Sequence, residues 1–308
     1  KVGSVVAIEP QTGEILSLIS TPSYDPNLMV GRVRSKNYST LLKDPVKPLF
    51  NRAMMAYYPP GSTFKLTSAL AALQESIIFR TTSFPHSFVV GSHAVKCHNH
   101  PPIDLVGAIQ YSCNPFFCNT FRAFVDNKKW KNSEEGYARW RSYMEEFGIG
   151  RKIGVDMPHE LKGILPSLAF YDKIYGRNRW KASTIFSLGI GQGELGITPL
   201  QMANIMCIIA NKGYYYTPHV IKEIGGKPNN SRNLQQKYNV SIDLDNFDII
   251  QDGMLRVTEA GTARIAQFDT ITICGKTGTA QNPHGKDHSL FVAFAPRENP
   301  KIAIAIMV

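Results

Sequence analysis

The chain has 308 residues, 43% hydrophobic and 19% charged, which is enough apolar material for an ample core in one large domain or two intimate halves, without staples. Its formal charge of +10 suits an anionic partner, nucleic acid or a membrane surface, but Lys and Arg are scattered without an aromatic-basic module, which disfavours nucleic acid, and a carboxylate-bearing polymer fits equally well. No run reaches the eighteen or so apolar residues of a membrane span, the richest being the short stretch Met202 to Ala210 broken by Asn204, and no signal peptide is visible.

In chain order, residues 3 to 20 alternate around Pro10-Gln11-Thr12-Gly13, predicting strands Ser4 to Glu9 and Glu14 to Ile19 as a hairpin with one buried face. Thr21 to Pro48 is polar and reads as a long connection. The most strongly apolar helix runs from Ser62 to about Glu75 through Phe64, Leu66, Leu70 and Leu73, behind a sharp entry set by Pro59, Pro60 and Gly61. Phe79 to Pro102 has little periodicity, and Asp104 to Gln110 reads as a short helix delivering Ser112. Ser133 to Phe147 carries Tyr137, Trp140, Met144 and Phe147 at helical spacing, a core stripe stopped by Gly148. Gly150 to Trp180 reads as loop with short turns. Thr198-Pro199-Leu200-Gln201 supplies a hydroxyl cap, a first-position Pro and a Gln three residues on, predicting a helix to about Asn211.

Asn229 to Asn239 is polar and expected to be mobile; Phe247 to Thr258 reads as a helix; Thr270 to Thr277, Ser289 to Ala295 and Ile302 to Val308 read as strands. Strands at both ends with helices between predict a mixed α/β (α+β) domain, in which an N-terminal hairpin joins a C-terminal meander in one antiparallel sheet around a large helical insertion. Residues 1–48 and 264–308 then form the sheet half and 49–263 the mainly helical half.

The chemistry concentrates at Ser62 and Lys65. A hydroxyl at a helix entry with a lysine one turn later puts an alcohol beside an amine that becomes a base once burial and a second cation depress its pKa. Alone, Ser-x-x-Lys is expected about once by chance in a chain this long. Ser112-Cys113-Asn114 and Lys276-Thr277-Gly278-Thr279 follow in fixed order, and the three together are the signature of penicillin-binding proteins and serine β-lactamases. The chain resembles the transpeptidase domain of class B penicillin-binding proteins over essentially its whole length. Tyr58 to Lys65, Gly189-Ile190-Gly191-Gln192-Gly193 and the stretch from Lys276 through His288 resemble the elongation type, penicillin-binding protein 2.

The resemblance implies a peptidoglycan D,D-transpeptidase, a target of β-lactam antibiotics that needs no cofactor for catalysis. Ser62 is then the nucleophile that attacks the carbonyl between two D-alanines of a stem peptide, Lys65 its base, Ser112 a proton relay to the leaving amine, and Asn114 a carboxamide for Lys65 and substrate. Lys276, expected on the innermost strand, lowers the pKa of Lys65 and, with Thr277 and Thr279, holds the substrate carboxylate. Gly278 lets the strand approach the substrate, and the amides of Ser62 and Thr279 form the oxyanion hole. His284, Asp287 and His288 are candidates for the acceptor side. The resemblance also implies an anchor in the inner (cytoplasmic) membrane and a pedestal preceding this fragment, a periplasmic catalytic domain, a C-terminal helix, and a membrane glycosyltransferase partner. The rivals are a D,D-carboxypeptidase or β-lactamase on the same motifs, although no glutamate falls in a recognisable deacylation loop, and a non-enzymatic β-lactam sensor.

Five cysteines, Cys97, Cys113, Cys118, Cys207 and Cys274, are an odd count that argues against a full disulfide framework. Cys97, His100 and Cys113 are zinc-like ligand types, with His86, His98 or Asp104 as the fourth, and a structural zinc there fixes the loop presenting Ser112. A disulfide between two of Cys97, Cys113 and Cys118, or a plain buried thiol, explains the same residues.

Overall fold

Strand-forming residues concentrate at the two ends of the chain, and the fold brings those ends together. The computed structural model describes residues 2–97, 100–229, 234, 236–281 and 285–308. Strands β1 (Gly3–Ile8) and β2 (Ile15–Thr21) form the N-terminal hairpin. Helices α1 (Arg34–Lys43), α2 (Arg52–Met55) and α3 (Lys65–Gln74) follow, then the hairpin β3 (Ser87–Val90) and β4 (His93–Lys96). Next come α4 (Leu105–Gln110), α5 (Asn114–Val125), α6 (Ser133–Glu146), α7 (Leu168–Tyr175) and α8 (Pro199–Ala210). Short strands β5 (Tyr214–Tyr216), β6 (Glu223–Ile224), β7 (Lys227–Pro228) and β8 (Lys237–Asn239) precede α9 (Leu244–Ala260) and the final meander of β9 (Cys274–Ala280), β10 (His288–Ala295) and β11 (Ile302–Met307).

One five-stranded antiparallel sheet runs in the order β2-β1-β11-β10-β9, so hairpin and meander meet along β1 and β11, with Val6 opposite Ala305. This is the mixed architecture the chain order predicts. On β11 the small residues Ala303 and Ala305 and Met307 are buried, which lets α8 lie close against β1, β10 and β11. Every residue of α8 is buried, as a helix with no polar face requires. Its start carries the expected reciprocal cap: Gln201 N–H donates to Thr198 Oγ1 at 3.1 Å, and Thr198 N–H to Gln201 Oε1 at 3.0 Å. Helix α3 is buried from Lys65 to Leu73 among α5, α6 and α9. Trp140 of α6 packs edge-on against Phe64 and Phe121, so the aromatic stripe is core.

Several local readings are corrected. The first hairpin does not have a single buried face: β1 lies inside the sheet and buries five of its six residues, while β2 is the half-exposed edge. The long connection contains α1, which has no buried residue and therefore no apolar period to read. The featureless stretch after α3 holds the β3–β4 hairpin, turned at Gly91 with φ +57°. Helix α5, overlooked in the sequence, was signalled by Pro115 in its first turn and by Phe116, Phe117, Phe121 and Phe124. Helix α7 interrupts the loop of 150–180, with Ser167 capping it and Tyr171 its single buried residue. The reading of 229–239 falls partly outside the described residues, at 230–233 and 235, and its end, β8, pairs with β5.

Candidate active site

The two prolines and Gly61 ahead of α3 build a 3-10 turn, Gly61–Phe64, so Ser62 stands on that turn and not in the first turn of the α-helix. Gly61 has φ +53°, and a Cβ there would lie 2.4 Å from the carbonyl oxygen of Thr279. Its N–H donates to Gly191 O at 2.8 Å, and Gly191, at φ +73°, would place a Cβ 2.1 Å from Gly61 O. The turn is therefore held by main chain on two sides, and only glycine permits the approach. Gln192 adds a side-chain bond from Nε2 to Thr279 O at 3.1 Å. These contacts are the physical content of the Gly-Ile-Gly-Gln-Gly stretch, whose role the sequence did not reveal.

Lys65 opens α3 and is wholly buried. Its Nζ lies 2.8 Å from Ser112 O, 2.6 Å from Asn114 Oδ1 and 3.2 Å from Ser112 Oγ. The two shortest contacts are to oxygens that can only accept. A neutral amine spends both N–H groups on them and keeps its lone pair for a hydroxyl proton. Burial lowers the Lys65 pKa to about 7, against a smaller opposing pull from the sulfurs of Cys118, Cys113 and Cys97.

Ser112 owes its position to the end of α4. Tyr111 caps that helix, Ser112 N–H donates to Ile109 O at 3.2 Å and Cys113 N–H to Ala108 O at 3.0 Å, which is the Schellman arrangement. Ser112 occupies its left-handed position at φ +55°, where glycine is usual. A hydroxyl residue held there carries strain of the kind that collects at functional sites. Helix α5 begins immediately, at Asn114, so both polar members of the motif lie at one helix–helix joint.

Lys276 is also fully buried, and its Nζ donates to Thr277 O at 3.0 Å. Its pKa is held well below the usual lysine value, by burial first and then by the charge of Lys65. Burial is thus the first cause at both amines, and the like charge of Lys65 adds to it at Lys276. Contrary to expectation, the strand of Lys276 is not innermost. Strand β9 ends the sheet order, which leaves its outer edge to border the cleft. Gly278 lines the cleft, and a Cβ there would also press on the turn carrying Ser62, meeting Thr63 Cγ2 at 3.0 Å and Pro60 O at 3.3 Å.

Ser62, Ser112, Asn114, Thr277, Gly278 and Thr279 line one cleft of about 570 Å³, together with Gln192, Thr262, Gln281 and Asp287. The three motifs, far apart in sequence, thus meet as the reading required. Thr262, which that reading missed, shares a 2.6 Å hydroxyl bond with Thr277; it sits in a short Gly-Thr-Ala stretch without a distinguishing pattern. Asp287 reaches the cleft, His288 packs edge-on against the Tyr58 ring at 4.9 Å, and His284 lies outside the described residues.

Beneath Ser112, the ligand atoms of Cys97, His100 and Cys113 lie within 4.8 Å of one another. Cys97 Sγ is 2.7 Å from His100 Nε2 and 3.2 Å from Cys113 Sγ, and His100 Nδ1 is held at 2.8 Å from Pro101 O, which leaves Nε2 facing the sulfurs. Of the proposed fourth ligands, His98 lies outside the described residues, Asp104 is occupied as the cap of α4 through Gly107 N–H, and neither Asp104 nor His86 joins the cluster.

Sheet, helical insertion and the serine–lysine cleft between them are the architecture shared by penicillin-binding enzymes and serine β-lactamases. The chain belongs to the penicillin binding protein transpeptidase domain family, whose model matches residues 3–308. It is 35% identical over 329 residues to the peptidoglycan D,D-transpeptidase MrdA of Acinetobacter baumannii, covering 99% of this chain and 47% of that protein. The chain thus spans about half the length of that curated relative. Among solved structures it is similar to Pseudomonas aeruginosa PBP2 in complex with WCK 5153, with TM-score 0.87 and 35% identity over 100% of this chain and 66% of the other. It is also similar to the PBP2 of Helicobacter pylori in complex with MreC, with TM-score 0.84 and 29% identity over 100% and 56%.

Two outcomes follow from this geometry. Below pH 7 Lys65 keeps its proton and cannot accept one from Ser62, so the rate of acylation by a penicillin should climb with pH and level off above about 7, as stopped-flow kinetics can record. Replacing Ser112→Gly should relieve the left-handed strain and raise unfolding free energy by up to about 1 kcal/mol in denaturant titrations, while slowing acylation.

Proposed function

We propose that this chain is the catalytic domain of an elongation-type peptidoglycan D,D-transpeptidase acting through a Ser62 acyl-enzyme. The observation that carries the reading is Lys65: fully buried, with Ser112 O and Asn114 Oδ1 as acceptors for its two N–H groups. Its free lone pair takes the Ser62 proton as Oγ bonds to the carbonyl carbon between two D-alanines. Negative charge on the carbonyl oxygen is met by the amides of Ser62 and Thr279. The C–N bond then breaks, and the departing D-alanine amine collects a proton by way of Ser112. An arriving terminal carboxylate favours the charged form of Lys276, which holds it together with Thr277 and Thr279. The amine of a second stem peptide attacks the ester, releases Ser62 and forms the cross-link. A β-lactam enters as the donor does, and its leaving group stays tethered.

A carboxypeptidase or β-lactamase needs a base that activates water against the ester. Glu160 is spent on the amides of residues 153 to 155, Glu194 accepts from Tyr171, and no glutamate lines the cleft among the described residues. A sensor domain would acylate without making product. Among the described residues no helix is long and apolar enough to cross a membrane. We place the domain on the periplasmic side of the inner membrane, held by a preceding anchor and working with a membrane glycosyltransferase; the relative solved with MreC supports action within an assembly.

Catalysis on this route uses side chains and amides alone. Cys97, His100 and Cys113 fit a structural zinc, being two sulfurs and an imidazole already turned toward one point. Such an ion would fix Cys113, and hence Ser112 and Asn114 on either side of it.

Intact-mass analysis after exposure to a penicillin should give one adduct, mapped to Ser62, absent in Ser62→Ala and at least a hundredfold slower to form in Lys65→Ala; an adduct that turns over rapidly would favour the hydrolase. Metal analysis of protein purified without chelators should give close to one zinc per chain, and a value near zero would end the zinc proposal.

A further inference from the structure

The acyl-transfer route leaves the chain's thiols unused, and two of them touch. Of the five cysteines, Cys113, Cys118, Cys207 and Cys274 are buried, and Cys97 alone is partly open to solvent. Its thiol donates to Cys113 Sγ at 3.2 Å, across sixteen positions of sequence. Those sulfurs need to close by only about 1.2 Å to reach the bond length of a disulfide.

The two partners are unequal. Cys113 is 3% exposed, it immediately precedes α5, and its N–H is fixed to Ala108 O at 3.0 Å. Cys97 follows β4 and belongs to no helix or strand. An external reagent therefore meets Cys97 first, and the sulfur contact shortens by Cys97 moving toward a fixed Cys113. Ser112 and Asn114, on either side of Cys113, keep their hold on Lys65.

We infer that Cys97 and Cys113 are an oxidation site, closing to a reversible disulfide by exchange with a small-molecule or protein disulfide. The Cys97 sulfur attacks one sulfur of the incoming disulfide, whose other half leaves as a thiol. The Cys113 sulfur then attacks Cys97 in the mixed disulfide; the internal S–S bond forms and the second thiol departs. Two protons and two electrons leave the pair, and the oxidant, now two thiols, carries them. The periplasmic placement proposed above supplies oxidants of this class. Both sulfurs are consumed, so disulfide and zinc are alternative staples between the chain after β4 and the α4–α5 joint, and each excludes the other. That exclusion rests on the zinc reading; the disulfide does not.

For the test, the chain is reduced, freed of metal with a chelator and incubated with oxidised glutathione, then unfolded and assayed for free thiols. A glutathione adduct on Cys97 should form first and give way to a species lighter than the reduced chain by two hydrogens. Three of the five thiols should remain, a peptide map should join Cys97 to Cys113, and dithiothreitol should reverse the change. Cys113→Ala should stop at the adduct, since the resolving sulfur is gone. The oxidised chain should react with benzylpenicillin within about twofold of the reduced rate and melt several degrees higher, because the bridge closes a loop in the unfolded state. One equivalent of zinc bound beforehand should slow oxidation by about tenfold or more. Five free thiols after prolonged exposure, or a bridge to Cys118 in place of Cys113, would overturn the inference. So would an oxidised chain whose acylation falls by about tenfold or more, since Cys113 would then have moved and Ser112 with it. Zinc that binds without slowing oxidation would overturn the exclusion. A chain that takes up no zinc yet closes the bridge would remove the zinc reading alone.

Discussion

Two lysines are buried within one cleft wall, and the rest of the site is arranged around tolerating them. A charged ammonium out of water is costly unless it is paired or gives up its proton. Among the described residues neither Lys65 nor Lys276 is given a carboxylate; each finds carbonyl oxygens, and the charge of Lys65 adds to burial at Lys276. The result is an amine poised near neutrality, 3.2 Å from the Ser112 hydroxyl. A single acidic neighbour would have restored the ordinary lysine and removed the base. Helix α3 contributes by enclosing Lys65, α4 and α5 by turning two oxygens toward it, and β9 by bringing the second amine.

How much of this was legible depended on whether a residue's role left a pattern. The sheet was readable because β10 and β11 alternate or run apolar, and α8 because its cap is written in side chains. Helix α1 was not, since nothing on it is buried, and β9 was misplaced by four residues at its start because Thr270 to Ile273 are as β-prone as the strand itself. The candidate catalytic residues were legible through their order, which fold physics does not require. What order could not give was the reason for each glycine. Gly191 was read as a motif feature, yet a Cβ there would run into Gly61 O, and Gly278, read as a cleft feature, is also pressed by the turn carrying Ser62.

The joint between α4 and α5 links the site to the cysteine–histidine cluster. Ser112 and Asn114 face Lys65, while Cys113 between them faces Cys97 and His100. Successive residues at a helix boundary point different ways, so one tripeptide faces Lys65 on one side and the cysteine–histidine cluster on the other. That also explains why this Schellman turn carries a left-handed serine: a glycine would fold more easily but offers no hydroxyl.

The cradle of Ser62 is made of peptide groups from three distant segments: Gly61 N–H donates to Gly191 O, and the Thr279 carbonyl closes against Gly61. Peptide groups are the same in every protein. Such a frame constrains the positions that must lack a Cβ and little else, so side chains around it are free to diverge while its shape persists. A likeness of 0.87 in shape beside 35% in residues is what a scaffold fastened by its own backbone allows.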